Sequence, residues 1–196
     1  AKGFETTSSF GGSLKKLSTT TLSSAASAIS FTSGIDSTYK EYIFIANNIH
    51  PATNNANFTF NMSIDSGSNY NVEKTTTFFY AYQDEGGTAT ALQYRTDYDL
   101  TGTGFHILAA EIGNGNDECG SGYVHLFNPS SSTFQKLFYS RINTTSSGNF
   151  TLDNHVGGTF NTASAINAIQ FKFSSGNIDS GVIKMYGLSN SWLLIN

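Results

Sequence analysis

Two aspartates flank a tyrosine at Asp97-Tyr98-Asp99, and a second acidic pair stands at Asp84-Glu85. Paired carboxylates are what a glycosidase needs, provided the fold holds them several ångströms apart across a sugar. Both pairs sit in turn-like surroundings, where adjacent acids serve as solvated charge, so by themselves they carry no assignment of catalysis. The same stretch is rich in tyrosine: Tyr80, Tyr82, Tyr94 and Tyr98 lie close together with Gln83, Asp97 and Asp99. Aromatic rings that end in a polar group pair an apolar body with a hydrogen-bonding tip. A sugar ring can stack on such a surface, which makes Tyr94 and Tyr98 the candidate glycan-binding residues. Packing in a core or on a sheet face is the competing explanation for the same tyrosines.

The other reactive side chains are scattered. Asp65-Ser-Gly-Ser-Asn-Tyr-Asn-Val-Glu73 places oxygen ligands at alternating positions, but its glycine stands third, where an EF-hand loop needs it sixth. A hairpin turn accounts for it better. His50, His106, His125 and His155 show no H-x-x-x-H or other paired ligand spacing. The single cysteine, Cys119, lies in a loop-like N-G-N-D-E-C-G-S-G stretch and can form no internal disulfide, so the fold must stand on its core. No G-x-S-x-G elbow is present. The expectation is a protein with no enzymatic activity, no metal and no cofactor.

Composition narrows the partners. A chain of 196 residues suits one domain and can bury a real core. Sixteen phenylalanines and ten tyrosines favour strands. Charged residues make up 12%, about half the usual share, so the polar surface must be Ser, Thr and Asn, about a third of the chain. Such a surface repels weakly and suits packing against copies or partners. The net charge of −4, with Lys15-Lys16 the only adjacent basic pair, argues against nucleic acid. No run approaches the roughly eighteen apolar residues of a membrane span. The N-terminus lacks the apolar stretch of a secretion signal. Its alanine fits a residue exposed by methionine removal, which points to synthesis in a cytoplasm.

The elements that would position these residues are strands. Tyr39–Asp65 organises the chain. Its first half, Tyr42-Ile43-Phe44-Ile45-Ala46, is apolar at every position, so it should be buried on both faces or covered on one by a partner. Its second half alternates, with Phe58, Phe60, Met62 and Ile64 facing a core and Thr59, Asn61 and Ser63 facing water. Further strands are expected within 21–32, with Ile29 and Phe31 on one face, over 71–82, 89–96, 122–128 and 133–142, over 149–160 with a bulge or bend at Gly157-Gly158, and over 166–173 and 182–188; 105–112 fits a strand or two helical turns and is taken as a strand among all-β surroundings. About ten short strands without a convincing helix predict an antiparallel β-sandwich, jelly-roll-like, over residues 21–188. Residues 1–20 read as an anchoring arm with spaced apolar side chains, among them Phe4, Phe10 and Leu14. Residues 189–196 form an apolar tail whose Trp192, Leu193, Leu194 and Ile195 need cover, on this subunit or a neighbour. These seven side chains are the candidate assembly contacts.

Several stretches resemble a known class. I-S-F-T-S-G-I-D-S-T-Y-K-E-Y, N-N-I-H-P-A-T-N, N-F-T-F-N-M-S-I-D-S-G-S-N-Y-N and N-A-I-Q-F-K-F-S-S-G-N-I-D-S-G-V-I-K-M-Y-G-L are similar to structural proteins of tailed bacteriophages, especially marine phages of cyanobacteria and other ocean bacteria. The resemblance covers residues 17–188. It implies a non-enzymatic β-sandwich module of a tail fibre, tail appendage or head decoration, carried on the surface of the virion. The expected partners are copies of itself, a trimer included, and other virion proteins. A receptor-binding module for host-surface glycans is the alternative.

Overall fold

A computed structural model describes residues 14–188. Phe4, Phe10, Trp192, Leu193, Leu194 and Ile195 lie outside the described residues. The described chain is all-β: thirteen strands and no helix, in two sheets whose pairings are all antiparallel. The larger sheet runs in the order β1 (Leu14–Thr21), β13 (Ile178–Leu188), β3 (Glu41–Pro51), β9 (Gly120–Phe127), β10 (Lys136–Thr145), β11 (Phe150–Phe160), β5 (Lys74–Asp84), β6 (Thr90–Tyr94). The two-residue β7 (Thr101–Gly102) also pairs with β5. The smaller sheet runs β2 (Ile29–Phe31), β12 (Ala168–Phe173), β4 (Ala56–Ser63), β8 (His106–Ile112). Every strand expected from the sequence has a counterpart. Strand β7, and β1 within the segment read as an arm, come in addition; Leu14 pairs with Leu188 at that edge.

Strict alternation builds the core. Along β5 and β10, buried and exposed side chains take turns, as a pleated strand with one covered face requires. The two sheets meet through phenylalanines. Phe31 of β2 lies 5.7 Å from Phe44 of β3, and Phe60 of β4 lies 5.0 Å from Phe138 of β10 and 6.0 Å from Phe160 of β11. Each fully buried phenylalanine contributes roughly 1.5–3 kcal/mol.

Two expectations change and one narrows. Strand β3 is covered by this chain on one face only: Tyr42, Phe44 and Ala46 enter the core, while Ile43 and Ile45 stay half-buried on the outer side. On β4 the polar side does not face water. Thr59, Asn61 and Ser63 are buried with the phenylalanines, and only Ile64, just past the strand, is exposed. The segments around Tyr70 and Gly104 cover that face and satisfy it: the Asn61 amide donates to the carbonyls of Tyr70 (2.7 Å), Thr103 (2.9 Å) and Gly104 (3.2 Å). Third, Gly157-Gly158 makes no bulge, and β11 pairs without interruption on both sides. Gly158 is there for room. A Cβ would come within 2.7 Å of the Phe138 ring and 2.8 Å of the Thr75 carbonyl.

The inner face also carries charge. Lys136, Phe160 and Lys74 line up across β10, β11 and β5, and both lysines are fully buried. Their stems pack in the core while the amines reach main-chain oxygens. Lys136 donates to Phe134 (3.0 Å) and Thr162 (3.3 Å), Lys74 to Gly104 (2.7 Å). Burial pushes the Lys74 amine down to about 8. Nearby His106, 1% exposed, is held down at about 4 by burial and then by the Lys74 charge.

Two outcomes follow. Phe44→Asp should abolish the cooperative melt by placing a carboxylate in the aromatic contact, whereas Ile45→Asp, on the outer side, should still fold; circular dichroism melts separate them. His106 stays neutral in the folded chain at pH values where the unfolded chain protonates it. The stability it carries is therefore complete above about pH 6.5 and lost as the pH falls toward 4, about 2 kcal/mol of it by pH 5. Urea unfolding from pH 7 to 5 should show that loss in the wild type and a flatter profile in His106→Gln.

Candidate functional site

The smaller sheet does not cover the larger one. Strand β2 lies over β3 through Phe31 and Phe44, and β8 lies against β10 and β11. Strands β5 and β6 extend past β8, and their inner face needs another cover. The chain from β6 to β8 supplies it. The Tyr98 ring meets Phe78 edge to face at 5.1 Å, and the Arg95 guanidinium lies 4.0 Å above Tyr98 and 5.3 Å from the Tyr80 ring. Arg95 also donates to the Tyr80 hydroxyl and to both Asp97 oxygens, at 2.9 and 2.7 Å. Asp99 accepts from the Phe78 main chain and from the Tyr94 hydroxyl. The Tyr98 hydroxyl donates to Glu111 Oε1 at 3.0 Å. Burial, then the Glu111 charge, pushes that phenol up to about 12, so it keeps its proton.

Glu111 is held in an uncommon backbone state. Its φ is 57°, and among the described residues the other non-glycine residues with positive φ are asparagines and a serine, which tolerate it better. The cause is an irregular register where β8 pairs with β4 between Ala56 and Thr59, and such irregularities re-aim side chains. Main-chain bonds hold Glu111 on both sides: its N–H donates to Asn57 Oδ1 (2.9 Å), and its carbonyl accepts from Ser147 (3.2 Å). One residue earlier, the Ala110 N–H donates across the sandwich to the fully buried Asn154 (3.1 Å). The result is a cleft at the sandwich edge lined by Tyr80, Tyr82, Gln93, Glu111 and Phe150, with a volume of about 210 Å³.

The second feature is the outer face of the larger sheet. The register aligns Lys184, Ile45, Tyr123, Arg141, His155, Phe79 and Tyr94 across seven neighbouring strands. Beside them run Tyr186, Ile43, His125, Tyr139, Gly157 and Thr77. Leu137 is 58% exposed and Tyr139 43%. His155 stacks flat on Phe79 at 4.8 Å, and His125 on Phe127 at 4.2 Å. Arg141, His155 and His125 are paired in place. Arg141 binds Asp153 through two nitrogens, at 2.9 and 2.7 Å, and that contact, ahead of His155, lowers the Asp153 pKa. His125 bridges Glu41 (2.8 Å) and the Tyr139 hydroxyl (2.9 Å). Gly157 presents no side chain, and a groove opens there between Phe79 and Tyr139.

The two candidate tyrosines stand in different places. Tyr94 lies on the outer face opposite Phe79, and Tyr98 lies half-buried under the overhang. Leu14 is exposed on β1 at the sheet edge. Asp97 and Asp99 are engaged by Arg95 and Tyr94, and Asp84 caps its own turn through Thr88 and Ala89. Asp65 does the same through Ser63 and Asn69, whose bonds draw its pKa to about 2. Among the described residues no three His, Cys, Asp or Glu side chains converge as a metal site would need. Arg95, Gln93, Glu111 and Phe150 went unnoticed in the sequence, because nothing local marks a glutamate re-aimed by an irregular strand. The outer face was half visible, in strands such as Tyr42–Ala46 that are apolar at every position.

Arg95→Ala should lower stability by about 2 kcal/mol, the scale of a partly buried cation–π contact with its charged hydrogen bonds. It should also speed hydrogen exchange at the Tyr98 N–H, which donates to the Arg95 carbonyl at 3.0 Å. Arg95→Lys should recover only part of this, since an ammonium cannot stack and fork together. Unchanged melting and exchange in Arg95→Ala would mean that the overhang needs no clamp. No protein-family model, curated protein or solved structure matches this chain.

Proposed function

We propose that this chain is a non-enzymatic structural subunit of a tailed-bacteriophage virion, in a capsid decoration or a tail appendage. It assembles with copies of itself and with other virion proteins. The observation that carries this reading is the outer face of the larger sheet, where aromatic and aliphatic side chains, half-buried or exposed, alternate with Lys184, Arg141 and His155 across seven strands. Interface centres are rich in aromatic residues and poor in unpaired charge, and exposed apolar patches of this kind mark contact surfaces. Arg141 and His125 already hold acidic partners within the chain, so a second copy on this face leaves Lys184 as the charge of that row to be matched or kept at the rim. The likeness of residues 17–188 to phage structural proteins supplies the virion setting. The edge cleft favours a second role, recognition of host-surface glycans.

Sedimentation velocity of the full chain should show a dimer or larger species at micromolar concentration. The Leu137→Glu/Tyr139→Glu double variant should sediment as a monomer with an unchanged circular dichroism spectrum, because both side chains point outward. A monomeric wild type, or assembly untouched by the double variant, would overturn the role of this face. Mass spectrometry of purified particles should find the chain as a stoichiometric component; its absence there would overturn the virion assignment.

A further inference from the structure

The cleft under the overhang has the chemistry of a sugar site, and it is separate from the assembly face. Its walls are three rings set edge to face: Tyr80 to Tyr82 at 5.9 Å and 74°, Tyr82 to Phe150 at 5.5 Å and 83°. Its volume of about 210 Å³ falls below the roughly 300 Å³ at which pockets for drug-sized ligands begin. The space therefore suits a single ring. Two polar groups on the walls are half used. Gln93 accepts the Tyr80 hydroxyl through Oε1 at 3.2 Å, and its amide nitrogen donates to no group among the described residues. Glu111 takes the Tyr98 hydroxyl on Oε1, and its Oε2 accepts from no group among the described residues. An open N–H donor and an open carboxylate oxygen match neighbouring hydroxyls, each of which can donate and accept. The aromatic walls match the apolar C–H faces of the same ring.

Charge decides the class of ligand. Aromatic rings with a carboxylate also describe a cage for a quaternary ammonium group. Here, however, Arg95 already lies 5.3 Å from the Tyr80 ring and 3.7 Å from Glu111 Oε1. The only carboxylate on the cleft wall and one of the three rings are therefore engaged by a resident cation, and a second cation would be repelled. We infer that the cleft binds one pyranose ring of a neutral saccharide, packed against Tyr82 and Phe150 and hydrogen-bonded by Gln93 and Glu111. This assignment does not rest on the assembly reading, since the outer-face variants leave every cleft residue in place.

Saturation-transfer NMR on the full chain tests it. The probes are the methyl glycosides of glucose, galactose, mannose and N-acetylglucosamine, their disaccharides, and choline as the cationic control. At least one neutral glycoside should receive saturation and choline none. Gln93→Ala and Glu111→Gln should each weaken that binding about tenfold, the scale of one lost hydrogen bond to a buried or charged group, with melting curves confirming that both variants fold. Tighter binding of a disaccharide would identify the end of a glycan chain as the ligand, and equal binding a free sugar. The inference is overturned if no neutral sugar binds, if binding survives both substitutions unchanged, or if choline binds in their place.

Discussion

Four strands cannot cover the face that the longer sheet turns inward. The smaller sheet shields the stretch from β3 to β11, and β5 and β6 project beyond its last strand. The inner side chains of β5 are as apolar there as elsewhere, so exposure would cost the hydrophobic contribution that holds the sandwich together. The chain answers with a loop rather than another strand. A loop brings main-chain groups with no ladder to satisfy them, and the side chains of Thr76 and Asn61 take up that work, while Asp99 of the loop accepts from the Phe78 N–H of β5. Arg95 lies flat between two tyrosines and closes the layer. The cleft is the part of the overhang that this loop leaves unfilled.

The same economy explains the polar interior. A sandwich with an entirely apolar inner face could let its sheets slide. Here Asn154 reaches from the larger sheet to the main chain of β8, and Asn61 ties β4 to the segments behind it. Each bond has one directional solution: Asn154 fixes the offset between the two sheets, and Asn61 fixes the cover on the far side of β4. They also transmit position. Asn154 holds Ala110, and Ala110 precedes the residue whose carboxylate enters the cleft. Removing a buried carboxamide would therefore displace Glu111 without touching the cleft itself.

Much of this was legible in the chain because period-two alternation is written into Phe58–Met62, and aromatic and β-branched residues crowd strands such as Thr75–Tyr82. The class of fold and the strand positions follow from these, and the burial of Phe44 from the all-apolar run Tyr42–Ala46. Four things did not, each for a physical reason. The polar side of β4 looks solvent-facing because cover from a distant loop leaves no local mark. Gly158 looks like a bend because a missing side chain reads the same whether it frees the backbone or makes room for Phe138. Glu111 looks like any strand glutamate because its backbone state depends on Asn57 and Ser147, far away in sequence. Tyr94 and Tyr98, four residues apart, look like one surface, but the chain turns between them and sends one ring outward and one in.

The ion pairs of the outer face have a further consequence in the solvent. Exposed charges normally make association sensitive to ionic strength, because salt shortens the reach of every unpaired group to about 8 Å in physiological buffer and about 3 Å at molar concentration. Arg141 has its partner Asp153 within a hydrogen bond's length on the neighbouring strand, so little of its field remains to be screened. What is left on that face, Lys184 apart, is apolar contact, which excluded salts strengthen. A particle built through such faces would hold together as well in brine as in dilute buffer, and would come apart more readily in the cold than on dilution of its salt.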